Sequence, residues 1–406
     1  MRLAVVCYHS CPMARLGERD AGGMSVYIRS LAQGLGKQDI QVDVFSRRHD
    51  STDPFIVEMG EGARLIHVEA GPPEAEKTDI AEYLPTFIEN VESFVAEEGT
   101  EYDLVHSHYW LSGPAGIALS KTWNKPHVAT FHTLAEVKRQ ARSGLEDPAE
   151  RSSIERWVAA ETDAIVVSDR HERDFLARLY DAPPEKVAVV PGGVDIELFH
   201  PRNKEEARAR LGLNGDKVIL CVGRLDPLKG IDLALGSSAL LEDRGHVKVV
   251  IVGGDLEKDP EAQRLQDLAD ALGISDRVRF EGAVPHDELP WYYSAADLLM
   301  VPSYYESFGL VALEAMACGT PVVAARVGGL PSLVKDGETG YLVPWHCPEP
   351  FAERLEVLLA HDDLRDHMGQ AAFLRAQGMA WEAVVQQFAT LYEELISRGV
   401  AAREAV

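Results

Sequence analysis

The chain has 406 residues, of which 46% are apolar, enough to bury two cores of similar size rather than one. A formal net charge of −25 at pH 7 offers no overall counter-charge to a phosphate backbone, so no nucleic-acid partner is expected, although a local basic pocket fits within an acidic protein. The five cysteines, Cys7, Cys11, Cys221, Cys318 and Cys347, have no metal-ligand spacing and read as reduced thiols. The apolar run after Met1 is too short for a signal peptide or a membrane span, so a cytoplasmic protein without an integral membrane segment is expected.

Leu3 to Tyr8 is a continuous apolar run, the pattern of a parallel strand buried on both faces. A loop, then Gly22-Gly23, then the apolar-periodic stretch Val26 to Leu35 complete a strand, glycine turn and helix. Such a glycine pair lets backbone approach a ligand and leaves a helix N-terminus open to an anion; it is also what a plain turn looks like. Val42 to Ser46 and Leu65 to Val68 are the next strands. After a Pro- and Glu-rich loop carrying Lys77, a long amphipathic helix is predicted from about Ile80 to Ala96.

Leu104 to Ser107 is a short buried strand ending in His106-Ser107-His108-Tyr109-Trp110, and Val128 to Phe131 ends in His132-Thr133. In an open parallel sheet, ligands sit at the carboxyl ends of strands, so both polar clusters fall where chemistry is done. A histidine there serves as base, hydroxyl-orienting group or capped structural residue. The reading favours a structural His106 and a functional His132. Further strands are predicted at Ala164 to Ser168 and Val187 to Val190, with helices at Glu155 to Ala160 and His171 to Tyr180. The run Pro191-Gly192-Gly193 and the Phe199-His200-Pro201 segment read as the linker, placing an N-terminal domain at 1–198 and a C-terminal domain at 199–380. The amphipathic helix from Trp381, within about 381–406, is expected to cross that junction and pack back on the first domain.

The second half repeats the grammar, with strands at Val218 to Val222, Val247 to Val252, Val278 to Phe280 and Leu298 to Val301. Strand and helix alternate throughout, which predicts two α/β Rossmann-like domains with parallel sheets. Arg224 and Lys229 stand at the turn that opens the second domain, where a guanidinium fork and an ammonium suit a diphosphate; as isolated residues they are more often solvated surface charges. In VPSYYESFGLVALEAMACGTPVVA, Tyr304 to Gly309 reads as a loop, Leu310 to Cys318 as a helix, and Pro321 to Ala325 as a strand. Glu306 lies on the loop and Glu314 about two turns into the helix. A loop feeding a helix offers N–H groups and a positive dipole end to an anion, and carboxylates beside it accept hydrogen bonds from sugar hydroxyls. On spacing alone, a helix-dipole partner and a solvated face explain the two glutamates as well.

With Gly22-Gly23, His132, Gly223-Arg224, Lys229 and Glu306…Glu314 in chain order, the sequence resembles the retaining glycosyltransferases of family 4, of the GT-B fold, with two Rossmann-like parallel-sheet domains facing a central cleft. The resemblance covers essentially the whole chain. It implies that Arg224 and Lys229 neutralise the diphosphate of a nucleotide-sugar, Glu314 holds ribose hydroxyls, and Glu306 holds hydroxyls of the transferred sugar. Backbone of Ser307, Phe308, Gly309 and Leu310, and of Gly22 and Gly23, would complete the donor site, giving His132, Glu306, Arg224 and Lys229 as the catalytic set.

Within that family, AGGMSVYI, HSHYWLSG, TFHTLAEVK and PGGVDIELF look most like the mycothiol-pathway enzymes that move N-acetylglucosamine from UDP to inositol 3-phosphate. That resemblance places the acceptor phosphate on Lys77, Tyr109, Thr133 and Arg151. Sucrose-phosphate synthases, with fructose 6-phosphate as acceptor, are the neighbouring alternative; Ser25, where the inositol-phosphate group tends to carry Asn, keeps that alternative open. The family further implies retention, no required cofactor, no essential metal, and a His132 that orients the sugar rather than serving as an obligate base. Two other readings are a non-catalytic nucleotide-sugar-binding protein and a glycan phosphorylase, the latter requiring a pyridoxal-phosphate lysine. Oligomeric state is left open, a homodimer included.

Overall fold

The computed structural model describes residues 1–14, 22–75, 79–141, 148–213, 215–242 and 246–404. The chain divides into two compact units. One takes Gly23–Pro191 with residues 1–14 and the C-terminal helix that begins at Trp381; the other takes Gly192–Ala380. The division falls before residue 198 for a packing reason: Val194 and Phe199 are buried in the core of the second unit, and the Val194 N–H bonds to the Met379 carbonyl at 3.0 Å.

The first unit holds β1 (Arg2–Val6), β2 (Gln41–Arg47), β3 (Ile56–Gly60), β4 (Ala63–Val68), β5 (Leu104–His108), β6 (His127–Thr130), β7 (Ala164–Val167) and β8 (Val187–Val189) in the order β3-β4-β2-β1-β5-β6-β7-β8. Leu3 sits in register between Val42 and Leu104, and Leu3 to Tyr8 is buried throughout, as its unbroken apolar run requires. Parallel pairing holds everywhere except at the edge, where β3 runs antiparallel to β4. This departs from the all-parallel expectation; the short run IVEMG lies on an exposed edge and lacks the apolar density of the central strands. The helix expected from Ile80 starts as a 3-10 turn over Ile80–Tyr83, and the α-helix runs Leu84–Glu98. Pro85 explains the break, since it has no N–H and is tolerated only in a first helical turn.

The second unit holds β9 (Lys217–Val222), β10 (Val247–Val252), β11 (Val278–Gly282), β12 (Leu298–Val301), β13 (Val322–Ala325) and β14 (Gly340–Val343), all parallel, in the order β11-β10-β9-β12-β13-β14. Strand order reverses between β1 and β5 in one sheet and between β9 and β12 in the other. In doubly wound sheets a ligand crevice lies at the carboxyl ends of the strands at such a reversal. β5 ends on His108, and the loops that leave β5, β9 and β12 carry Tyr109, Gly223-Arg224 and Ser303 to Gly309 respectively.

Candidate active site

In the first unit the polar residues after β5 and β6 are held on strained backbone. Tyr109 and His132 adopt φ of 76° and 59°, the left-handed region that costs a side-chain-bearing residue energy. At His132 the chain folds into a three-residue γ-turn, with the Thr133 N–H bonded to the Phe131 carbonyl at 2.7 Å. The turn sends Thr133 towards Arg151, the first residue of the helix Arg151–Glu161. The Arg151 Nη2 donates to the Thr133 hydroxyl at 2.8 Å and to its carbonyl at 2.9 Å, and Nη1 donates to the Tyr109 hydroxyl at 3.4 Å. The guanidinium lies 5.1 Å from the centre of the Tyr109 ring.

Three of the four residues expected to bind acceptor phosphate are therefore brought together; Lys77 lies outside the described residues. Arg151 is wholly buried and pairs with Glu155 at 2.7 Å, both side chains at 0% exposure. Glu155 in turn accepts from the Tyr180 hydroxyl at 2.5 Å and the Ala135 N–H at 3.0 Å. Arg151 thus stands behind Thr133 and Tyr109, fixing both. Glu155 and Tyr180 were not singled out in the sequence, where only the i, i+4 spacing of Arg151 and Glu155 on a helix hinted at a pair.

His106 and His108 of β5 form a ladder with His132 of the turn after β6. His106 Nδ1 meets the Tyr392 hydroxyl at 2.8 Å and its Nε2 meets the Thr130 hydroxyl at 2.9 Å, so His106 is an anchored core residue. Next to it, 4.1 Å between ring centres, is His108, whose Nδ1 lies 2.9 Å from His132 Nε2. Burial holds His106 and His108 well below the usual imidazole range and pushes His132 down to about 3, so all three are neutral at pH 7. The C-terminal helix backs the ladder: besides Tyr392, its Phe388 and Trp381 face Tyr27, whose ring edge meets His132 at 5.1 Å. Gly22 forms a bend and Gly23 opens the helix Gly23–Gly36.

In the second unit, Lys229 closes a 3-10 turn, Pro227–Lys229, after β9, and its ammonium meets Glu306 Oε2 at 2.7 Å. Arg224, nearly half exposed, is 3.7 Å from Asp226. Glu306 is set by close backbone approach: a Cβ on Gly328 would fall 1.7 Å from the Glu306 carbonyl oxygen, and Gly328 has φ of 48°. Gly309, at φ of 99°, is the N-cap of the helix Leu310–Ala317, and a Cβ there would meet Leu330 at 2.7 Å. A helix start leaves its first N–H groups without intrahelical carbonyl partners and carries the positive end of the dipole, so this end, beside Glu306, suits an anion. The Phe308 side chain belongs to the core, so only its backbone remains for a ligand.

The helix begins at Leu310 as expected, but Glu314 is its fifth residue and so stands little more than one turn in rather than two, since a turn takes about 3.6 residues. It is 5% exposed and both of its oxygens are engaged, Oε1 by His286 Nε2 at 2.9 Å and Oε2 by the Tyr293 hydroxyl at 2.7 Å. A carboxylate has lone pairs for further donors, so this arrangement fixes its direction without exhausting it. His286 and Tyr293 escaped the sequence reading, since neither lies at helical or strand spacing from Glu314.

Two open, doubly wound sheets, one parallel throughout and one parallel but for its edge strand β3, each with cationic or hydroxyl-bearing loops at its strand reversal, match the GT-B class of glycosyltransferases. The chain belongs to the family 4 glycosyltransferases: the model described as Glycosyltransferase Family 4 matches residues 21–198, and that described as Glycosyl transferases group 1 matches residues 203–375. A D-inositol 3-phosphate glycosyltransferase of Corynebacterium glutamicum (strain R) is 40% identical over 98% of this chain and 97% of its own. One of Streptomyces bingchenggensis (strain BCW-1) is 42% identical over 97% and 89%. Among solved structures, sucrose-phosphate synthase from Thermosynechococcus elongatus superposes with a TM-score of 0.91 at 34% identity, covering 98% of this chain and 99% of that one. No helix among the described residues is long and apolar enough to cross a membrane.

Proposed function

We propose that this glycosyltransferase moves a hexosyl or N-acetylhexosaminyl group from a nucleotide-sugar, a UDP-sugar foremost, to a small phosphorylated acceptor such as inositol 3-phosphate, with retention of configuration and without an essential metal ion. The observation that carries the acceptor class is the convergence of Arg151 on the Thr133 and Tyr109 hydroxyls. A phosphate needs several donors in one place, and two hydroxyls backed by a buried guanidinium supply them. The whole-length likeness to inositol 3-phosphate glycosyltransferases supports the same reading.

On the donor side, Lys229, Arg224 and the N-terminus of the helix Leu310–Ala317 carry the charge that develops on the leaving diphosphate, which is why a metal ion is not required by this reading. Glu306 accepts from hydroxyls of the transferred sugar and Glu314 from the ribose. With His132 orienting the sugar, the leaving phosphate takes the proton of the attacking hydroxyl, so attack comes from the departing face and configuration is kept. Transfer of glucose to fructose 6-phosphate is the second reading, favoured by the superposition on sucrose-phosphate synthase.

Nucleotide release from UDP-, GDP- and ADP-sugars, each with inositol 3-phosphate, fructose 6-phosphate and their unphosphorylated forms, tests both readings. Turnover confined to phosphorylated acceptors is expected; equal turnover of an unphosphorylated acceptor would overturn the acceptor assignment.

A further inference from the structure

His132 is hydrogen-bonded through one ring nitrogen to a second histidine that has no reason of its own to be buried. His108 lies at the end of β5, has no exposed surface, and touches His132 Nε2 through Nδ1 at 2.9 Å, with ring centres 5.1 Å apart. Its other nitrogen, Nε2, is buried and has no hydrogen-bond partner among the described residues. The rung behind it is anchored: His106 is hydrogen-bonded at both nitrogens, to Tyr392 on the C-terminal helix and to Thr130 on β6. His106 and His108 share a face of β5 because strand side chains alternate.

From this geometry we infer that His108 is a positioning residue that imposes one tautomer on His132, with the proton on Nδ1, so that His132 meets the transferred sugar as a hydrogen-bond donor. Burial keeps both rings neutral, so a single proton lies in the contact between His108 Nδ1 and His132 Nε2. If His132 supplied it, His108 would carry its own proton on Nε2 and leave a buried N–H orphaned. If His108 supplies it, the orphan is a bare acceptor nitrogen. Buried donors without partners are rarer than acceptors without partners, so His108 donates and His132 Nε2 accepts. Neutral His132 then holds its proton on Nδ1. The nitrogen that could act as a base is occupied by His108, and the one left for a ligand is a donor. The strained γ-turn at residue 132 holds the ring against this partner.

The role of His132 as a sugar-facing group rests on the proposed function; its tautomer does not. The test therefore begins without substrate, with long-range proton–nitrogen NMR spectra of the full-length protein labelled with 15N at histidine, and His132 assigned from a His132→Gln variant. Wild type should show a protonated Nδ1 and a bare Nε2 at His132. A protonated Nε2, or rapid exchange between the two forms, overturns the inference. In His108→Leu, residue 132 should lose its preference for the Nδ1–H form, and kcat should fall on the order of a hundredfold with the KM of both substrates changing less than threefold. Asn places an amide where His108 Nδ1 stands, so His108→Asn should recover at least tenfold of that loss, whereas His108→Gln, which places its amide at Nε2, should not. Equal kcat in the Leu, Asn and Gln variants would overturn the positioning role. Should His108→Leu fail to fold, the wild-type spectrum and the Asn and Gln pair still decide the question.

Discussion

Lys229 and Glu306 form an ion pair, ammonium to Oε2 at 2.7 Å, that joins the loop leaving β9 to the loop leaving β12 across the reversal of strand order. On the proposed function, a donor diphosphate would meet a lysine that already has a carboxylate, and the sugar a carboxylate that already has a cation. The pair is partly exposed, so it adds about 1 kcal/mol or less to stability. Lys229→Ala and Glu306→Ala are accordingly expected to melt within a few degrees of wild type while losing on the order of a hundredfold in kcat/KM for the donor. Calorimetry beside a nucleotide-release assay measures both; near wild-type turnover in the two variants would remove this pair from the donor site.

Glu314 presents the opposite balance. It is buried with His286 and Tyr293 on its two oxygens, so Glu314→Ala strands two polar groups and should cost about 1–3 kcal/mol in urea unfolding as well as weakening donor binding. His286→Ala leaves Tyr293 in place and should raise the donor KM with a smaller loss of stability. A double-mutant cycle on His286 and Glu314 should yield a non-zero coupling; strict additivity would mean that the contact does not orient the carboxylate.

Arg151 and Glu155 are both fully buried, so removing either charge leaves the other unpaired at a cost of about 3–5 kcal/mol. Glu155→Gln should therefore lower the unfolding midpoint. Thr133→Val removes one hydroxyl from the Arg151 network and should raise the KM for a phosphorylated acceptor several-fold, with the donor KM unmoved. Initial rates at varied acceptor and saturating donor separate the two effects.

Gly328 is where backbone geometry governs the loop that carries Glu306. A methyl group there would collide with the Glu306 carbonyl oxygen, and φ of 48° is unfavourable for alanine. Gly328→Ala should cost about 1–3 kcal/mol and impair donor use while leaving acceptor KM near wild type, as measured by the same kinetics.

The buried His127 and the half-buried His132 predict acid sensitivity. Burial pushes His127 and His132 down to about 3, below an ordinary value of 6.5. The unfolded chain takes up these protons as pH falls through 6.5 and the folded chain only near 3. The stability they supply is thus fully present above pH 6.5 and is lost as pH falls towards 3. Glu172 works against this trend. Burial, reinforced by nearby Asp169, pushes its carboxyl up to about 7 from 4.5, so its contribution is present below pH 4.5 and is lost as pH rises through 7. In urea titrations from pH 4 to 8, His127→Gln should flatten the acid side of the stability profile and Glu172→Gln the fall near neutrality.

The sequence by itself determined the two Rossmann-like domains, because apolar runs of strand length and glycine turns are local signals set by side-chain burial and backbone sterics. It also placed Arg224, Lys229, Glu306 and His132 at the carboxyl ends of strands, since a strand's end is where its apolar run stops. The tertiary structure alone decided what those residues touch. Arg151 reaches Thr133 and Tyr109 only because the helix that opens with Arg151 lies beside the turns leaving β5 and β6. Glu314 finds His286 and Tyr293, and His106 finds Tyr392, across separations that carry no periodicity. The antiparallel edge β3 and the start of the helix at Leu84 likewise depended on pairing and on a proline at one position rather than on average pattern. Hydrogen bonds act over about 3 Å and specify partners that only the tertiary packing can bring together, so the residue types of the candidate site were legible in the sequence and their mutual orientation was not.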